Sequence, residues 1–162
     1  MNTAKSNNIS KYIVIAIGLV ITFLLWNNHV FAGISPTNIG VNNGKLASCP
    51  STPNCLNSQA IAGDTEHSIQ PIQIGGELPQ RMTDLKLAIR SMPRSTIIKE
   101  TNNYLYVEFA SKLMGFVDDV EFYFDNDGKF IQVRSASRLG ESDLGVNRQR
   151  IEEIRAKVSS LN

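Results

Sequence analysis

The fold is decided by the stretch Val117-Asp-Asp-Val-Glu-Phe-Tyr-Phe124, which is followed by Asp125-Asn-Asp-Gly128 and by Lys129-Phe-Ile-Gln-Val-Arg-Ser-Ala-Ser137. Apolar and polar residues alternate in both long runs, and this period of two is typical of strands with one buried face. The Asp, Asn and Gly residues between the runs favour a hairpin turn. The stretch therefore predicts two antiparallel strands.

A similar hairpin precedes this one, with strands at Thr96–Thr101 and Tyr104–Ala110 around a short polar pair. Further upstream, His67–Ile74 predicts a short strand, which Pro71 assigns to a sheet edge. Because side chains alternate between the two faces of a strand, the apolar residues collect on one face of the sheet. These predicted core residues are Ile98, Leu105, Val107, Phe109, Val120, Phe122, Phe124, Ile131 and Val133.

Two amphipathic helices accompany the strands. The first is predicted between Pro79 and Pro93, and the second follows an N-cap at Ser142 or Asp143. Two helices on one face of an antiparallel sheet of about five strands predict an α+β domain in the order β-α-β-β-β-β-α. The apolar stripes of the helices are Leu78, Met82, Leu85, Ile89 and Met92, and Leu144, Ile151, Ile154, Val158 and Leu161.

Length, composition and charge limit the classes of protein to consider. The chain has 162 residues, an apolar share of 42% and a formal net charge of +1, which indicates one globular domain without a field that would attract nucleic acid. The chain has two histidines, His29 near the N-terminus and His67. It lacks the usual hydrolase motifs. We therefore expect no nucleic-acid partner, no cofactor and no metal.

The N-terminal segment has the layout of an export signal. Two lysines precede an uncharged run over 12–25, and Val30-Phe-Ala32 suits a signal peptidase. We predict a signal peptide at 1–32 that is cleaved before Gly33, with an uncleaved inner-membrane anchor at residues 12–26 as the alternative. The expected location is the periplasm or another extracytoplasmic compartment, a class that includes the thylakoid lumen.

Residues 33–48, which we call the leader, are rich in Gly, Asn, Ser and Pro, so we expect a flexible segment ahead of a single α+β domain at 49–162. That domain opens with Cys49-Pro-Ser-Thr-Pro-Asn-Cys55. In an oxidising compartment, two cysteines this close predict a disulfide. A zinc site would need two further ligands, and the spacing is not that of a redox-active Cys-x-x-Cys pair.

The sheet face that points away from the helices collects polar residues, and we call it the polar face. A two-residue turn in the second hairpin would put Glu121 opposite Arg134, whereas a four-residue turn would put Asp119 there. Because Tyr and Arg are favoured at interfaces, this face is predicted either to recognise a partner or to be a solvated surface with weak salt bridges. Its residues are Lys99, Tyr104, Tyr106, Glu108, Asp119, Glu121, Tyr123, Gln132, Arg134 and Arg138.

Asp118 differs from its neighbour Asp119, because its parity directs the carboxylate to the core side of the sheet. A buried carboxylate needs a hydrogen-bond partner, and Ser135 or Ser137 would lie opposite. A carboxylate with a perturbed pKa can act as a general acid or base, so Asp118 and Asp119 are the catalytic candidates. The rival interpretation is that Asp118 holds a loop in place.

Three separated motifs stand out in the chain. They are Cys-Pro-x-x-Pro-Asn-Cys at Cys49–Cys55, Gly-Phe-Val-Asp-Asp-Val-Glu-Phe at Gly115–Phe122, and Arg-Ser-Ala-Ser-Arg-x-Gly-x-Ser-Asp-Leu-Gly-Val-Asn-Arg at Arg134–Arg148. Together they resemble the domain-of-unknown-function family 1499, from about Ala47 to Val158. The resemblance implies a bacterial envelope or plastid protein and no particular activity.

The leading hypothesis is a non-enzymatic envelope module that binds a partner protein or a small ligand. The alternative is an enzyme that acts on a small anionic substrate through Asp118 or Asp119 and an arginine, and a third is a container for an apolar molecule. We expect membrane contact only through the N-terminal segment, if it is uncleaved. The predicted binding surface is Tyr106, Glu108, Asp119, Glu121, Tyr123, Arg134, Arg138, Asp143, Asn147 and Arg148.

Mass spectrometry of the protein extracted from its own envelope tests the processing and the disulfide together. Under denaturing conditions we expect the mass of residues 33–162 less two hydrogen atoms, because the signal peptide is removed and Cys49 is joined to Cys55. A mass that includes residues 1–32 would contradict cleavage. Labelling of both cysteines by a thiol reagent without prior reduction would contradict the bridge.

Overall fold

The computed structural model describes residues 3–26, 31–75, 77–125 and 128–161. Within them, helices and strands alternate much as the periodicity predicts. The helices are α1 (Thr3–Trp26), α2 (Leu78–Arg90) and α3 (Val146–Ser160). The strands are β1 (Cys55–Asn57), β2 (Ile72–Gln73), β3 (Ser95–Glu100), β4 (Tyr104–Ala110), β5 (Val117–Phe124) and β6 (Phe130–Ser137).

The strands form one antiparallel sheet in the order β1-β6-β5-β4-β3, and β2 also pairs with β6. This arrangement confirms the predicted α+β class. The predicted edge strand is reduced to β2, which begins directly after Pro71, a residue that cannot donate to a ladder. The predicted order lacked β1, because a three-residue strand is too short to show an alternation.

The register of the second hairpin pairs Glu121 with Arg134 and Asp118 with Ser137. Of the two registers considered, this is the one expected for a two-residue turn. The turn residues Asn126 and Asp127 themselves lie outside the described residues. At the other end of the folded domain, Cys49 and Cys55 form the predicted disulfide, which closes the loop before β1.

The core lies between the sheet and α2 and α3. Every predicted core residue of β4, β5 and β6 is buried there, and Phe122 and Phe124 are fully inaccessible to solvent. The prediction for Ile98 was wrong, because a register shift in β3 between Ile97 and Lys99 leaves Ile98 48% exposed. The bulge directs Ile97 toward the core instead.

The α3 stripe is shorter than predicted. Ile151, Ile154 and Val158 are buried, but Leu161 is 47% exposed and Leu144 is 93% exposed. Leu144 lies outside the helix because the N-cap is Gly145, whose φ of 82° is a left-handed conformation suited to glycine. The prediction of Ser142 or Asp143 as the N-cap was therefore wrong in position.

The N-terminal helix α1 exposes its apolar side chains from Tyr12 to Phe23. The described residues include no helix that is long and apolar enough to cross a membrane. The predicted cleavage motif falls partly outside the described residues, because Val30 is not among them. Cleavage before Gly33 therefore stays a prediction.

Candidate functional site

The leader lies along the polar face of the sheet, although the sequence predicted a flexible segment. The backbone N–H of Gly40 donates to Glu121 Oε1 at 2.7 Å. Leu46 is buried in a second apolar cluster, and its backbone N–H donates to the Gln59 side chain at 2.9 Å. The leader thus covers the polar face with the backbone N–H of Gly40 and with two apolar side chains, Leu46 and the partly buried Ile39. The cluster partners of Leu46 are Tyr104, Tyr106 and Tyr123.

The leader starts in tight contact with the segment that follows β6. Gly33 has a φ of 68°, and a Cβ at this position would lie 2.8 Å from Arg138 Cβ and 3.1 Å from Leu139 Cγ. Both the backbone conformation and the space therefore require glycine here. This contact fixes where the chain enters the domain.

Beneath the leader, Arg138 is the centre of one buried group of charges. Its Nε donates to Asp119 Oδ2 at 2.9 Å, and its Nη2 donates to Asp119 Oδ1 at 2.7 Å and forms an ion pair with Glu108. The Tyr106 hydroxyl donates to the same Asp119 oxygen at 2.6 Å. Because Asp119 is only 2% exposed, its charge is balanced by protein groups rather than by water.

Glu121 is the centre of a second group, and it is fully buried. Its Oε1 accepts from the Tyr104 hydroxyl at 2.7 Å as well as from the Gly40 backbone, while Arg134 Nη1 donates to Oε2 at 3.3 Å. Arg134 Nε is buried and has no hydrogen-bond partner among the described residues. The carboxylate is therefore better satisfied than the arginine that faces it.

Tyr104 and Tyr106 keep their protons. Burial, followed by the hydrogen bond to Glu121, raises the pKa of Tyr104 above its ordinary value of 10.0. Burial and the hydrogen bond to Asp119 raise the pKa of Tyr106 in the same way. Both hydroxyls consequently act as neutral donors to carboxylates.

The polar face is therefore not an open surface. Tyr106, Asp119, Glu121, Tyr123 and Arg134 are all at most 6% exposed. They contact one another or the leader, so the predicted recognition by this face would first require the leader to move away. The sequence assigned these residues to the correct face but did not reveal that a distant segment covers it.

The predicted site residue Asn147 joins two of the three motifs through buried hydrogen bonds. Its Nδ2 donates to the backbone oxygen of Asn54 in the disulfide motif at 3.0 Å and to Ser137 Oγ at 3.2 Å. Its Oδ1 accepts from Ser135 Oγ at 2.5 Å. Asp143 Oδ2 accepts the backbone N–H of Asn147 at 2.7 Å, so Asp143 still caps α3 although it is not the N-cap residue. Asn147 and Asp143 thus have structural partners.

Asp118 is on the core side of β5, as its parity predicted, but its partner is not a serine. Its carboxylate pairs with Arg150 of α3, whose guanidinium also lies 4.9 Å from the centre of the Phe109 ring. The pair borders a pocket of about 240 Å³ that also includes Arg94. Sequence reasoning did not pair Asp118 with Arg150, although Arg150 follows Asn147 at the i+3 position of α3. Through its ion pair with Asp118, Arg150 joins the remaining motif, Gly115–Phe122, to the same network.

Arg148, the last of the predicted binding residues, is exposed on α3. Its guanidinium donates to the backbone oxygens of Ser68 at 2.9 Å and Glu66 at 3.3 Å. The structure therefore does not bring Arg148 together with the residues of the polar face. It holds the loop before β2 against the start of α3.

His67 forms a small titratable site beside the disulfide loop. Its Nδ1 lies 2.8 Å from Asp64 Oδ2, and its Nε2 lies 3.2 Å from the backbone oxygen of Thr52. Both ring nitrogens face acceptors, which favours the doubly protonated imidazolium. The hydrogen bond to Asp64 accordingly raises the pKa of His67 above 6.5, and the hydrogen bonds from His67 lower the pKa of Asp64.

One end of the sheet, where β4 and β6 finish and β5 begins, exposes apolar side chains, and we call it the apolar end. The Phe31 and Phe116 rings stack there with centroids 5.2 Å apart. The backbone N–H of Arg138 donates to the oxygen of Val117 at 3.1 Å, which brings the two loops together. The exposed residues are Phe31, Ile34, Leu113, Met114, Phe116, Leu139 and Leu144.

Sequence reasoning did not identify the apolar end. Leu144 was assigned to the buried stripe of α3, and of the run Leu113-Met-Gly-Phe116 only Gly115 and Phe116 were noted, as part of a family motif. The available signal was an apolar tetrapeptide interrupted by glycine within a predicted loop, since loops are usually polar. Such a run in a loop indicates either hidden packing or a contact surface.

Charge reversal at Arg134 distinguishes a buried polar face from an exposed one. An exposed face predicts a nearly unchanged melting temperature for Arg134→Glu. Because Arg134 is 5% exposed beside the inaccessible Glu121, we expect a loss of about 3–5 kcal/mol in the free energy of unfolding. Thermal denaturation should show a drop of more than about 10 °C.

The matched control is Lys99→Glu, which reverses a charge on an exposed residue of β3, an edge strand of the same sheet. We expect this change to stay within about 0.5 kcal/mol of the wild type. Equal melting temperatures for Arg134→Glu and Lys99→Glu would contradict the closed polar face.

The pH dependence of stability tests the His67 site. Because the folded-state pKa of His67 is raised above 6.5, the imidazolium stabilises the fold fully below that pH and its contribution is lost as the pH rises through the folded pKa. Asp64 acts in the opposite direction, since its lowered pKa gives stability that is lost as the pH falls below 3.8. Urea unfolding should therefore show a decline above neutrality that His67→Asn removes. An unchanged decline in His67→Asn would contradict this assignment.

Comparison with known proteins identifies a family whose model covers all three motifs. A family model described as "Protein of unknown function (DUF1499)" matches residues 45–158, which is more than half of the chain and covers the whole sheet. None of the curated proteins matches the sequence. The match includes the three motifs that meet around Asn147 and Arg150, and it begins inside the leader. The chain therefore belongs to the DUF1499 family.

Proposed function

We propose that the chain is an exported, non-enzymatic envelope module that docks on another envelope component through its apolar end. The observation that carries the proposal is Leu144. It is 93% exposed and has a φ of 54°, a left-handed conformation that costs a residue other than glycine about 1–2 kcal/mol. A strained leucine that packs on nothing has no evident role in stability. Contact with a component outside the domain would give Leu144 a role.

The residues of the apolar end other than Leu144 also support a docking role. Leu113 is 81% exposed in the loop between β4 and β5, and Met114, Phe116 and Leu139 are partly exposed nearby. Single exposed apolar residues are common on protein surfaces, but contiguous ones usually mark a contact site. The apolar end also includes parts of two of the family motifs, Gly115–Phe122 and Arg134–Arg148. The proposal thus keeps the predicted binding role and moves it from the polar face to the end of the sheet.

The disulfide and the N-terminal segment support an extracytoplasmic location. The Cys49–Cys55 bridge closes a short loop, and such bridges persist in oxidising compartments. The apolar run of α1 suits a signal peptide of residues 1–32. Gly33, the first residue of the proposed mature chain, is held against Arg138 and Leu139. Cleavage there would remove Phe31 from the apolar end but leave its other residues, the domain and the leader in place, in the periplasm or an equivalent compartment.

The alternative of an enzyme acting on a small anionic substrate has less support. Asp119 is buried against Arg138 and Tyr106, so a substrate would have to displace these partners. Asp118 borders a pocket, but its ion pair with Arg150 already satisfies both groups. The Arg150 donors are further engaged by Ser135 and Asn147. We therefore rank a structural role for Asp118 above a catalytic one.

Photocrosslinking in the intact envelope tests the proposed function. A photoreactive residue at Leu144 should give crosslinked products, whereas the same residue at the exposed Asn102, in the hairpin at the opposite end of β4, should not. Leu113→Ser should reduce the products obtained from position 144, because both side chains belong to the docking surface. Equal yields from positions 144 and 102, or no effect of Leu113→Ser, would contradict docking through the apolar end.

A further inference from the structure

We infer that the partner of the apolar end is a polypeptide whose C-terminal residue enters the adjacent pocket, where its carboxylate binds Arg94. The inference rests on the proposed function, since it names the chemistry of the partner that docks at this end of the sheet. Three observations carry it. The pocket adjoins the apolar end, Arg94 at its edge has no acidic partner in the described part of the chain, and the pocket is about the size of one residue.

The pocket and the apolar end are joined by two short pieces of chain. Ser111 and Val146 border the pocket, and Leu113 and Leu144 of the apolar end are each two residues away along the chain. Two residues span at most about 7 Å, so the α carbon of each leucine lies within that distance of a residue that borders the pocket. The backbone N–H of Ser111 also donates to the oxygen of Phe116 at 2.8 Å. A polypeptide that lies on the leucines can therefore reach the pocket with its last residue.

The charged residues that border the pocket leave one positive charge without a partner. They are Arg94, Asp118, Arg150 and Glu153. Asp118 forms an ion pair with Arg150, and Glu153 Oε1 lies 3.7 Å from the Lys157 ammonium group. Among the residues that the structure describes, Arg94 has no ion-pair partner, and its one side-chain hydrogen bond is made by Nε. A carboxylate from outside the domain would balance this charge.

The backbone of Arg94 holds its guanidinium at the pocket. Its φ of 58° is a left-handed conformation, in which glycine would be unstrained. The backbone oxygen of Arg94 accepts the N–H of Ala110 at 3.0 Å, and Arg94 Nε donates to the oxygen of Ala110 at 3.0 Å. Because Ala110 also borders the pocket, these two hydrogen bonds fix the guanidinium at its edge. The two terminal nitrogens can then donate to both oxygens of a carboxylate. Backbone strain of this kind is common at ligand sites.

The size and the walls of the pocket suit one apolar residue. Its volume of about 240 Å³ lies below the roughly 300–1,000 Å³ of pockets for drug-sized ligands. Met92 and Phe109 are buried apolar walls, and Val146 is a half-exposed one. A C-terminal residue combines an apolar side chain with a carboxylate, and capture of this terminal group is an established mode of peptide recognition. A free small acid offers the same two groups but would leave Leu113 and Leu144 uncovered.

The charges next to the apolar end do not attract an acidic partner from a distance. Lys112 and Glu141 are exposed and opposite in sign, and the Asp143 carboxylate accepts the backbone N–H of Asn147. One positive and two negative charges leave these three residues with a net charge of −1. Recognition of the carboxylate therefore depends on direct contact with Arg94, and binding should change little with salt.

Two peptide libraries test the inference with the full protein as it accumulates in the envelope. Both libraries vary the last three residues on a common flexible stem, and one ends in free carboxylates while the other ends in amides. The wild type should retain peptides with an apolar last residue from the acid library. The best of them should bind at least about tenfold more tightly as the acid than as the amide, the effect expected of hydrogen bonds to a charged group. Equal retention of the two libraries, or of neither, would overturn the inference.

Arg94→Gln and Arg90→Gln form a matched pair, because each removes one positive charge from an exposed arginine at or just beyond the end of α2. Arg94→Gln should bind the acid and the amide equally, whereas Arg90→Gln should keep the preference, since Arg90 does not border the pocket. Arg94→Gly should also lose the preference. Because glycine adopts the left-handed backbone without strain, the melting temperature of Arg94→Gly shows whether that loss comes from unfolding. A preference for the acid that survives in both Arg94 variants would sink the inference.

Further outcomes separate a polypeptide from a small acid and this inference from the proposed function. If hexanoate binds as tightly as the best peptide, the occupant is a small molecule and the inference fails. Leu113→Ser should weaken the acid and the amide peptides alike, and Ile61→Ser, which changes a residue that is 80% exposed outside the apolar end, should weaken neither. If position 144 crosslinks as proposed but the acid is not preferred, the C-terminal inference fails and docking stands. If the acid is preferred but neither Leu113→Ser nor crosslinking supports docking, the carboxylate site stands and the proposed function fails.

Discussion

Arg134 and Arg138 carry their charges beneath a segment of the same chain, in a place where water cannot screen them. A guanidinium cannot give up its proton, so each must be matched by carboxylates that are buried with it. Asp119 and Glu121 supply that match. Tyr104 and Tyr106 donate their hydroxyl hydrogens to further acceptor positions on these two carboxylates. The composition of the polar face follows from this requirement. Tyrosine, arginine and acid together look like a recognition surface, yet here they form an internal electrostatic layer.

The family motifs also contribute polar side chains to the interior of the domain. Residues of the disulfide loop, β5 and the start of α3 are joined through Asn54, Asp118, Asn147 and Arg150 in one buried network. A network of this kind is stabilising only when all members are present, because a single missing partner leaves a buried polar group unsatisfied. The side-chain contacts of these motif residues therefore hold the domain together. Under the proposed function, the surface that meets a partner is the exposed apolar end.

The sequence predicted the parts of the fold that repeat with a period. Strands β4, β5 and β6 and helix α2 follow from alternation and helical spacing, and so does the face on which each polar residue lies. Ile98 was misassigned because a bulge in β3 interrupts the period, and Leu144 because Gly145 starts α3 later than the apolar spacing suggests. The binding of the leader to the polar face was not predicted, for a different reason. It binds the polar face through the backbone N–H of Gly40 and through Ile39 and Leu46, and these contacts leave no periodic pattern in the sequence.

The contact between Gly40 and Glu121 joins residues that are 81 positions apart, so it closes one of the longest loops in the domain. Contacts of high sequence separation form late, because their entropic cost is met only after nearer contacts are in place. The leader is also the first part of the folded domain to leave the ribosome, and it would lead the domain through an export channel. Its binding site on β4, β5 and β6 does not exist until the C-terminal half has arrived. In an exported domain, as proposed above, the polar face would therefore close only after the entire domain has crossed the membrane and folded.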